Sequence, residues 1–266
     1  MVVTVDAETR AVDAETRAAE RDLVRLFPAL DAEILNPSDE QLLAFGFGLR
    51  GRELYQDVRG LVNRRAFVAA AALERVMLDV MIIARWLEVA PKLHMQMWLG
   101  EDARHSMMGL EAIAELHERR LGQRLPINKS DRERLMTTTS EARAAGLAAK
   151  EPIGKKKTAS VLPAAWQMLE VAPDLWEAYR VAYPTLSAVV HAGGRSFVAD
   201  RIVIDRRGKA RMRPGAPFDA SSLRALAVPI MCSLLATVSR QCGLGIEGAA
   251  DTLRIGYTVW QEPLQG

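Results

Sequence analysis

Two sets of polar residues recur at the spacing of one helical turn within apolar sequence, which places each set on one helix face. The first set is Arg75 and Asp79. The second is Tyr183, Ser187 and His191, which span an arc of about 80°. An arginine and a carboxylate on an apolar helix need partners, because an unpaired buried charge is costly. We predict that the two sets face each other and form a polar network, a candidate catalytic site.

The second set also has a purely structural interpretation. Tyr183 and Ser187 can satisfy local hydrogen bonds, and His191 can sit at a helix C-terminus, where a cation is favoured. Ser187 and His191 lie one turn apart on one helix, which is poor geometry for a nucleophile and its base. The sequence contains no G-x-S-x-G motif and no Gly-rich phosphate loop, so it does not predict a hydrolase triad.

The helix that would position Arg75 and Asp79 is predicted from Ala66 to Val89. This segment is rich in Ala, Leu and Met and contains neither Gly nor Pro, so its helix propensity is high. Its charged residues argue against a membrane span, because charges near the centre of a bilayer are costly. They are Glu74, Arg75, Asp79, Arg85 and Glu88. The segment therefore predicts a core helix.

The pattern along the whole chain predicts an all-α fold, a multi-helix bundle of seven to nine helices with one small β-hairpin insertion. Residues 1–27 contain VDAETRA twice in succession and predict a polar N-terminal helix or extension. Residues 28–266 are predicted to form a single helical domain, with a basic hairpin at about 196–214. Ser38 and Ser130 each begin a sequence typical of a capping box, and Gly100 is predicted to end a short helix after Pro91.

Cationic residues crowd the predicted hairpin, at Arg195, Arg201, Arg206, Arg207, Lys209, Arg211 and Arg213. Such a cluster can bind phosphates, and contacts would then be to the nucleic-acid backbone rather than to bases. The candidate polyanion-binding residues are Arg206, Arg207, Lys209 and Arg211. Lys155–Lys157 form a second basic loop. A solvated turn is the alternative, because aromatic residues that could stack on bases are nearly absent here.

Glu101 and His105 raise a metal alternative, since a carboxylate and an imidazole lie one turn apart. With Glu74 and Asp79, a carboxylate-bridged di-metal oxidase in a helical bundle is conceivable. The Glu-x-x-His spacing of such bundles occurs nowhere in the chain. We therefore predict no bound metal and no cofactor.

Composition sets the wider limits. The 266 residues are 49% hydrophobic, enough for a sizeable core, and the net charge of +2 favours no particular partner. Cys232 and Cys242 lie about 15 Å apart along a helix, too far for a disulfide within it, which favours a reducing compartment. The N-terminal segment has no apolar signal region. We predict a cytoplasmic protein that does not contact membranes.

The spacing Arg75-x3-Asp79-x6-Trp86, followed by Tyr183-x2-Leu186-Ser187-x3-His191, resembles the signature of a bacterial all-α domain family of unknown function. Members of that family usually carry Glu where this chain has Asp79. The resemblance reaches roughly from Asn63 to Leu235. It implies a helical bundle in which the two polar sets face each other.

That family is similar, more distantly, to the HEPN superfamily of helical nucleotide-binding domains, many of which are dimeric RNases in defence and toxin systems. HEPN domains carry Arg, four to six residues, then His on one helix, whereas here Thr185 stands six residues before His191. An RNase site would have to use Arg75 from the neighbouring helix. The resemblance implies action on RNA or a nucleotide in phage defence or stress, and a homo-oligomer. The alternative is a non-catalytic interaction module whose basic hairpin contacts a partner.

Overall fold

The computed structural model describes the backbone of residues 3–154, 156, 159–171, 179–180, 182–184, 186–187, 202–204, 210–212 and 220–256. Side chains are described for residues 14–154, 156, 159–170, 179–180, 182–184, 186–187 and 220–254. The chain forms two compact units. Unit 1 comprises Met1–Glu88 and Ala172–Gly266, and unit 2 comprises Val89–Val171. The single domain predicted for residues 28–266 stays a prediction.

Helix dominates the described residues, which confirms the predicted all-α class. The α-helices are α1 (Val3–Leu26), α2 (Asp39–Asn63), α3 (Phe67–Val89), α4 (Pro91–Leu121), α5 (Lys129–Ala148), α6 (Ala165–Met168), α7 (Ala220–Cys242) and α8 (Glu247–Gly256). Short 3-10 helices occur at Phe27–Asp31 and Leu169–Val171. Strands β1 (Ile202–Ile204) and β2 (Ala210–Met212) pair antiparallel. The helical residues between 179 and 187 are called the 179–187 segment.

Helix α7 forms the centre of unit 1. Every residue from Ala225 to Ser239 is buried, and the helix packs against α1, α2 and α8. Among the described residues it is the one helix long and apolar enough to cross a membrane, but 83% of its most apolar window is buried inside the fold. A helix apolar on all sides and covered by other helices is a core helix.

Two glycines of α2 allow its backbone to approach α7 closely. A Cβ atom added at Gly51 would overlap the Leu234 side chain, and one at Gly48 would lie 3.1 Å from a Val238 methyl. Isolated glycines weaken a helix, because Gly loses more conformational freedom on folding than other residues do. The structure shows α2 unbroken, since close packing against α7 compensates for that weakness.

Helix α1 docks onto unit 1 through its C-terminal half. Leu23 is fully buried and Thr16 is 1% exposed, and the helix packs against α7 and α8. Glu20 is also buried, with its carboxylate 3.8 Å from Arg59 and 3.9 Å from Arg224. These contacts anchor the predicted polar N-terminal helix to the core.

Unit 2 is built on α4 and α5, which pack against each other. The prediction that Gly100 ends a helix is wrong, because α4 continues unbroken from Pro91 to Leu121. A Cβ at Gly100 would overlap Ala142 of α5, so this glycine is a contact point between helices. Gly146 plays the same part for α5, since a Cβ there would meet Met97 at 3.0 Å.

Side-chain caps begin α2 and α5. The capping box at Ser38 is confirmed: its Oγ accepts from the Gln41 amide at 3.3 Å, and Gln41 Oε1 accepts from the Ser38 amide at 3.0 Å. The box predicted at Ser130 is wrong. Helix α5 begins two residues earlier, where Asn128 Oδ1 accepts from the Ser130 amide at 3.0 Å. Asn caps a helix as well as Ser does, so the earlier cap prevails.

Candidate functional site

Arg75 and Asp79 form an ion pair one turn apart on α3. The Arg75 side chain is 11% exposed, and the Asp79 side chain is 41% exposed. The arginine is therefore largely enclosed by protein, while its carboxylate partner reaches solvent. This difference in exposure gives the pair an open side, at Asp79.

The Arg75 guanidinium also meets the 179–187 segment. Its Nε donates a hydrogen bond to Ser187 Oγ at 3.0 Å, and its Cζ lies over the Tyr183 ring, 3.7 Å from the ring centroid. The predicted convergence of the two polar sets is thus confirmed for Arg75, Tyr183 and Ser187. Arg75 thus meets Ser187 through Nε and Asp79 through Nη1.

Tyr179 joins this cluster, although the sequence analysis did not include it. Its ring centroid lies 4.3 Å from that of Tyr183, with the ring planes at 42°. Burial raises the pKa of Tyr179, as do Tyr183 and the charge of Asp79, while Arg75 opposes the rise. Tyr179 stands four residues before Tyr183, so extending the same spacing by one step would have found it.

The remaining predicted site residues are not all described. His191 lies outside the described residues, and so do Arg206, Arg207 and Lys209. Arg211 lies in β2, opposite Val203 of β1. The assignment of these four cations to polyanion binding, and of His191 to catalysis, stays a prediction.

Glu74 precedes Arg75 in the chain but has a very different environment. It is 0% exposed, and neither carboxyl oxygen has a hydrogen-bond partner among the described residues. Burial therefore raises the pKa of Glu74 well above its usual value. Burial thus favours the neutral, protonated form of this group, and that form suits neither a metal ligand nor an ion pair.

Glu101 and His105 form part of a loop anchor in unit 2. Glu101 accepts hydrogen bonds from Arg104 Nε at 3.0 Å and from the Val161 amide at 2.7 Å, and His105 Nε2 lies 3.3 Å from its other oxygen. Burial raises the pKa of Glu101, but the bonds from Arg104 and Val161 outweigh burial and hold it below its usual value. Both carboxylate oxygens are thus already engaged.

The same loop is held from α5 and α4. Arg143, 8% exposed, donates to the carbonyls of Gly154 and Ala159, and His94 Nε2 lies 3.1 Å from Glu151 Oε1. Among the residues with described placement, no group of three or more His, Cys, Asp or Glu side chains comes together to hold a metal. The described carboxylates therefore lend no support to the di-metal alternative.

Comparison with known proteins places the chain in a family. No curated protein and no solved structure matches it. A family model does match, over residues 41–209, and this range contains Arg75, Asp79, Tyr183 and Ser187. The match covers more than half of the chain, which thus belongs to DUF5677, a family of unknown function.

Proposed function

We propose that this protein acts on RNA or a nucleotide through a site centred on Arg75, in a HEPN-like role in phage defence or stress. The observation that carries the proposal is the orientation of the Arg75 guanidinium, which Asp79, Ser187 and Tyr183 contact from three sides. An arginine held by other groups is preorganised to receive a phosphate, because less side-chain freedom is lost on binding.

Each residue has a separate role in this proposal. Arg75 binds the phosphate and stabilises the negative charge that develops on it. His191 accepts the proton of the attacking hydroxyl, as a general base. Asp79 and Ser187 hold the guanidinium in position, and Tyr183 supports its face.

The position of Arg75 also bears on the HEPN resemblance. HEPN domains carry Arg, four to six residues, then His on one helix, and this chain has no arginine at the corresponding positions, 184–186. Ser187 stands four residues before His191, and Ser187 is the residue that Arg75 Nε contacts. HEPN domains carry the arginine on the same helix as the histidine. We propose that in this chain a different helix, α3, supplies that arginine.

The test uses purified protein incubated with a mixed-sequence RNA and, separately, with nucleotides, with products identified by mass spectrometry. We expect Arg75→Lys and His191→Ala to lose activity by about 10²-fold or more, since both electrostatic and general-base contributions are of that size. Arg50→Lys is the matched control, because Arg50 is exposed and pairs with Glu53 of the same helix at 3.0 Å. The unfolding temperatures of both variants should match that of the Arg50→Lys control, so that a loss of activity is not a loss of folding.

A second function is favoured by a specific observation. Arg75 is only 11% exposed, and its contacts tie α3 to the 179–187 segment, as expected of a structural network in a non-catalytic interaction module. Wild-type protein that leaves both RNA and nucleotides unchanged would favour the module. In that case the variants at Arg75 should alter only the free energy of unfolding.

A further inference from the structure

The second half of α4 has an exposed apolar face in unit 2. The helix packs against α5, which Gly100 meets at Ala142. Ile113 is 58% exposed and Leu116 is 50% exposed. At about 100° per residue, both lie within about 40° of the direction opposite to Gly100, so they point away from α5. Contiguous apolar surface that faces solvent is typical of an interaction site.

Two charged residues of opposite sign lie at the ends of this face. Asp102 and Arg120 are both exposed, and neither has an ion-pair partner among the described residues. They are 18 residues apart, which is about five helical turns and about 27 Å along the axis, so they point in the same direction. Four exposed residues lie between them within about 40° of that direction. The six residues, which we call the α4 face, are Asp102, Ser106, Gly109, Ile113, Leu116 and Arg120.

An acidic end and a basic end make the α4 face complementary to a second copy of itself. When two copies of one helix run antiparallel about a two-fold axis, the acidic end of each meets the basic end of the other. Asp102 then pairs with Arg120 of the second copy, and the symmetric pair forms at the other end. This pairing also fixes the register, because the two-fold axis must lie level with Glu111, midway between the two charges.

The same register matches large side chains with small ones. With the axis level with Glu111, Ile113 lies opposite Gly109 of the second copy, and Leu116 lies opposite Ser106. A Cβ atom added at Gly109 meets nothing within 4 Å, so the space above this glycine is open. Large residues that face small ones allow two helices to interdigitate at close approach. One register therefore satisfies both charge and volume.

We propose that the α4 face binds a second copy of this chain, through antiparallel two-fold pairing of the two α4 helices. A partner of another kind would not require opposite charges at equal distances from a common centre. The α4 face lies in unit 2, whereas Arg75 belongs to unit 1, so the proposal does not depend on the chemistry of the Arg75 site.

The pairing produces a four-helix bundle. Helices α4 and α5 run antiparallel, since Glu111 lies 3.6 Å from Arg132 near one end while Gly100 meets Ala142 further along. Two copies of α4 thus bring two helix pairs together. Helices in such bundles cross at about 20°, so the two copies stay close over the length of the α4 face.

The test is analytical ultracentrifugation of the full chain over a range of concentrations, which gives the dissociation constant of the dimer. We expect a reversible dimer that Asp102→Arg and Arg120→Asp each weaken about tenfold or more, because each variant places like charges opposite each other at both ends. Arg119→Asp is the matched control and should dimerise as the wild type does. Arg119 is 81% exposed and points about 100° away from Arg120.

A charge swap tests the register directly. A variant with both Asp102→Arg and Arg120→Asp restores opposite charges across the axis and should recover the wild-type dissociation constant to within about threefold. A mixture of the two single variants should form a heterodimer, because one carries Arg at both positions and the other carries Asp at both. A monomeric wild type, equal weakening by Arg119→Asp and Arg120→Asp, or no recovery in the double variant would each overturn the proposal.

Gly109→Leu separates the interface from the stability of the helix. Leu is the better helix former and has open space at this position, so the variant should not lower the unfolding temperature. The added side chain fills the space that Ile113 of the second copy occupies, so the dimer should weaken about tenfold or more. An equally tight dimer in this variant would rule out the proposed register.

Discussion

Arg75 Nε donates to Ser187 Oγ at 3.0 Å and so joins α3 to a residue 112 positions later in the chain. Such a bond cannot form until the fold has brought two distant segments together. The same guanidinium lies over Tyr183, with Cζ 3.7 Å from the ring centroid. These contacts hold whether the site is catalytic or structural, so their energies can be measured independently of activity.

Replacing the Tyr183 ring should weaken the fold through the lost cation–π contact. We expect Tyr183→Leu to lower the free energy of unfolding by about 0.5–2 kcal/mol more than Tyr183→Phe, which keeps an aromatic face below Arg75. Urea denaturation measures both. In an Arg75→Met background the difference between Leu and Phe should shrink, because the cation is gone. An unchanged difference there would mean that ring packing alone is responsible.

Asp79→Asn should cost only about 1 kcal/mol of unfolding free energy. A fully buried partner of Arg75 would cost about 3–5 kcal/mol when removed, but the Asp79 side chain is 41% exposed and solvent screens the pair. The variant keeps the shape of the side chain and removes its charge. A loss above 3 kcal/mol in urea denaturation would show that the ion pair is far less screened than its exposure indicates.

Glu74 should make stability fall as pH rises. Its pKa in the folded protein lies well above that of the unfolded chain, so folding takes up a proton at pH values between the two. Its stabilising contribution is fully present below the unfolded pKa of about 4.3 and is lost as pH rises towards the folded pKa, by about 1.4 kcal/mol per pH unit. Glu74→Gln cannot titrate at this position. Its free energy of unfolding, measured by urea denaturation, should therefore rise relative to that of the wild type between pH 5 and pH 7. Parallel curves for the two proteins would refute this.

Glu101 should have the opposite effect. Its pKa is lowered in the folded protein, so its contribution is fully present above the unfolded pKa of about 4.3 and is lost as pH falls through the folded value. Glu101→Gln should lower the unfolding free energy at pH 7 by about 1–3 kcal/mol, because Arg104 and the Val161 amide lose a charged acceptor. The deficit should shrink towards pH 3.5. Glu115→Gln, at a residue 57% exposed, is the control and should show no such trend.

Two glycines of α2 should respond to alanine in opposite directions. Gly51→Ala should destabilise the protein by about 1–3 kcal/mol, because its Cβ would overlap Leu234. Gly46→Ala should stabilise it by about 0.5–1 kcal/mol, since a Cβ there meets nothing within 4 Å and helix propensity improves. Chemical denaturation of both variants gives the sign directly. Equal effects at the two positions would contradict the close approach of α2 and α7.

Helical spacing predicted the parts of the site that depend on one helix at a time. It placed Arg75 and Asp79 on one face of α3, and Tyr183 and Ser187 on one face of a second helical segment. In the structure Arg75 contacts both Tyr183 and Ser187. Tyr179 was accessible by the same rule. The unpaired state of Glu74 was not, because it depends on what surrounds α3 rather than on its sequence.

Parts of the fold that depend on contacts between helices were misread. Gly100 resembles a helix terminator in the sequence, and only Ala142, 42 residues later, explains why α4 continues through it. The ion pairs of Arg240 likewise join α7 to Glu88 of α3 and to Asp251 of α8, and no spacing along the chain predicts them. Helix propensity depends on a residue and its near neighbours in the chain, whereas these contacts join segments that are far apart in the chain.

The discontinuity of unit 1 affects how the protein is made. Helix α7, which forms the centre of that unit, ends about 180 residues after α2 does. At typical rates of translation, those residues take roughly 10–35 s to emerge from the ribosome. Unit 2 comes from one uninterrupted stretch and can fold within that interval. The faces of α1 and α2 that α7 covers must wait, exposed on the nascent chain, which makes them the surfaces that a chaperone would have to shield.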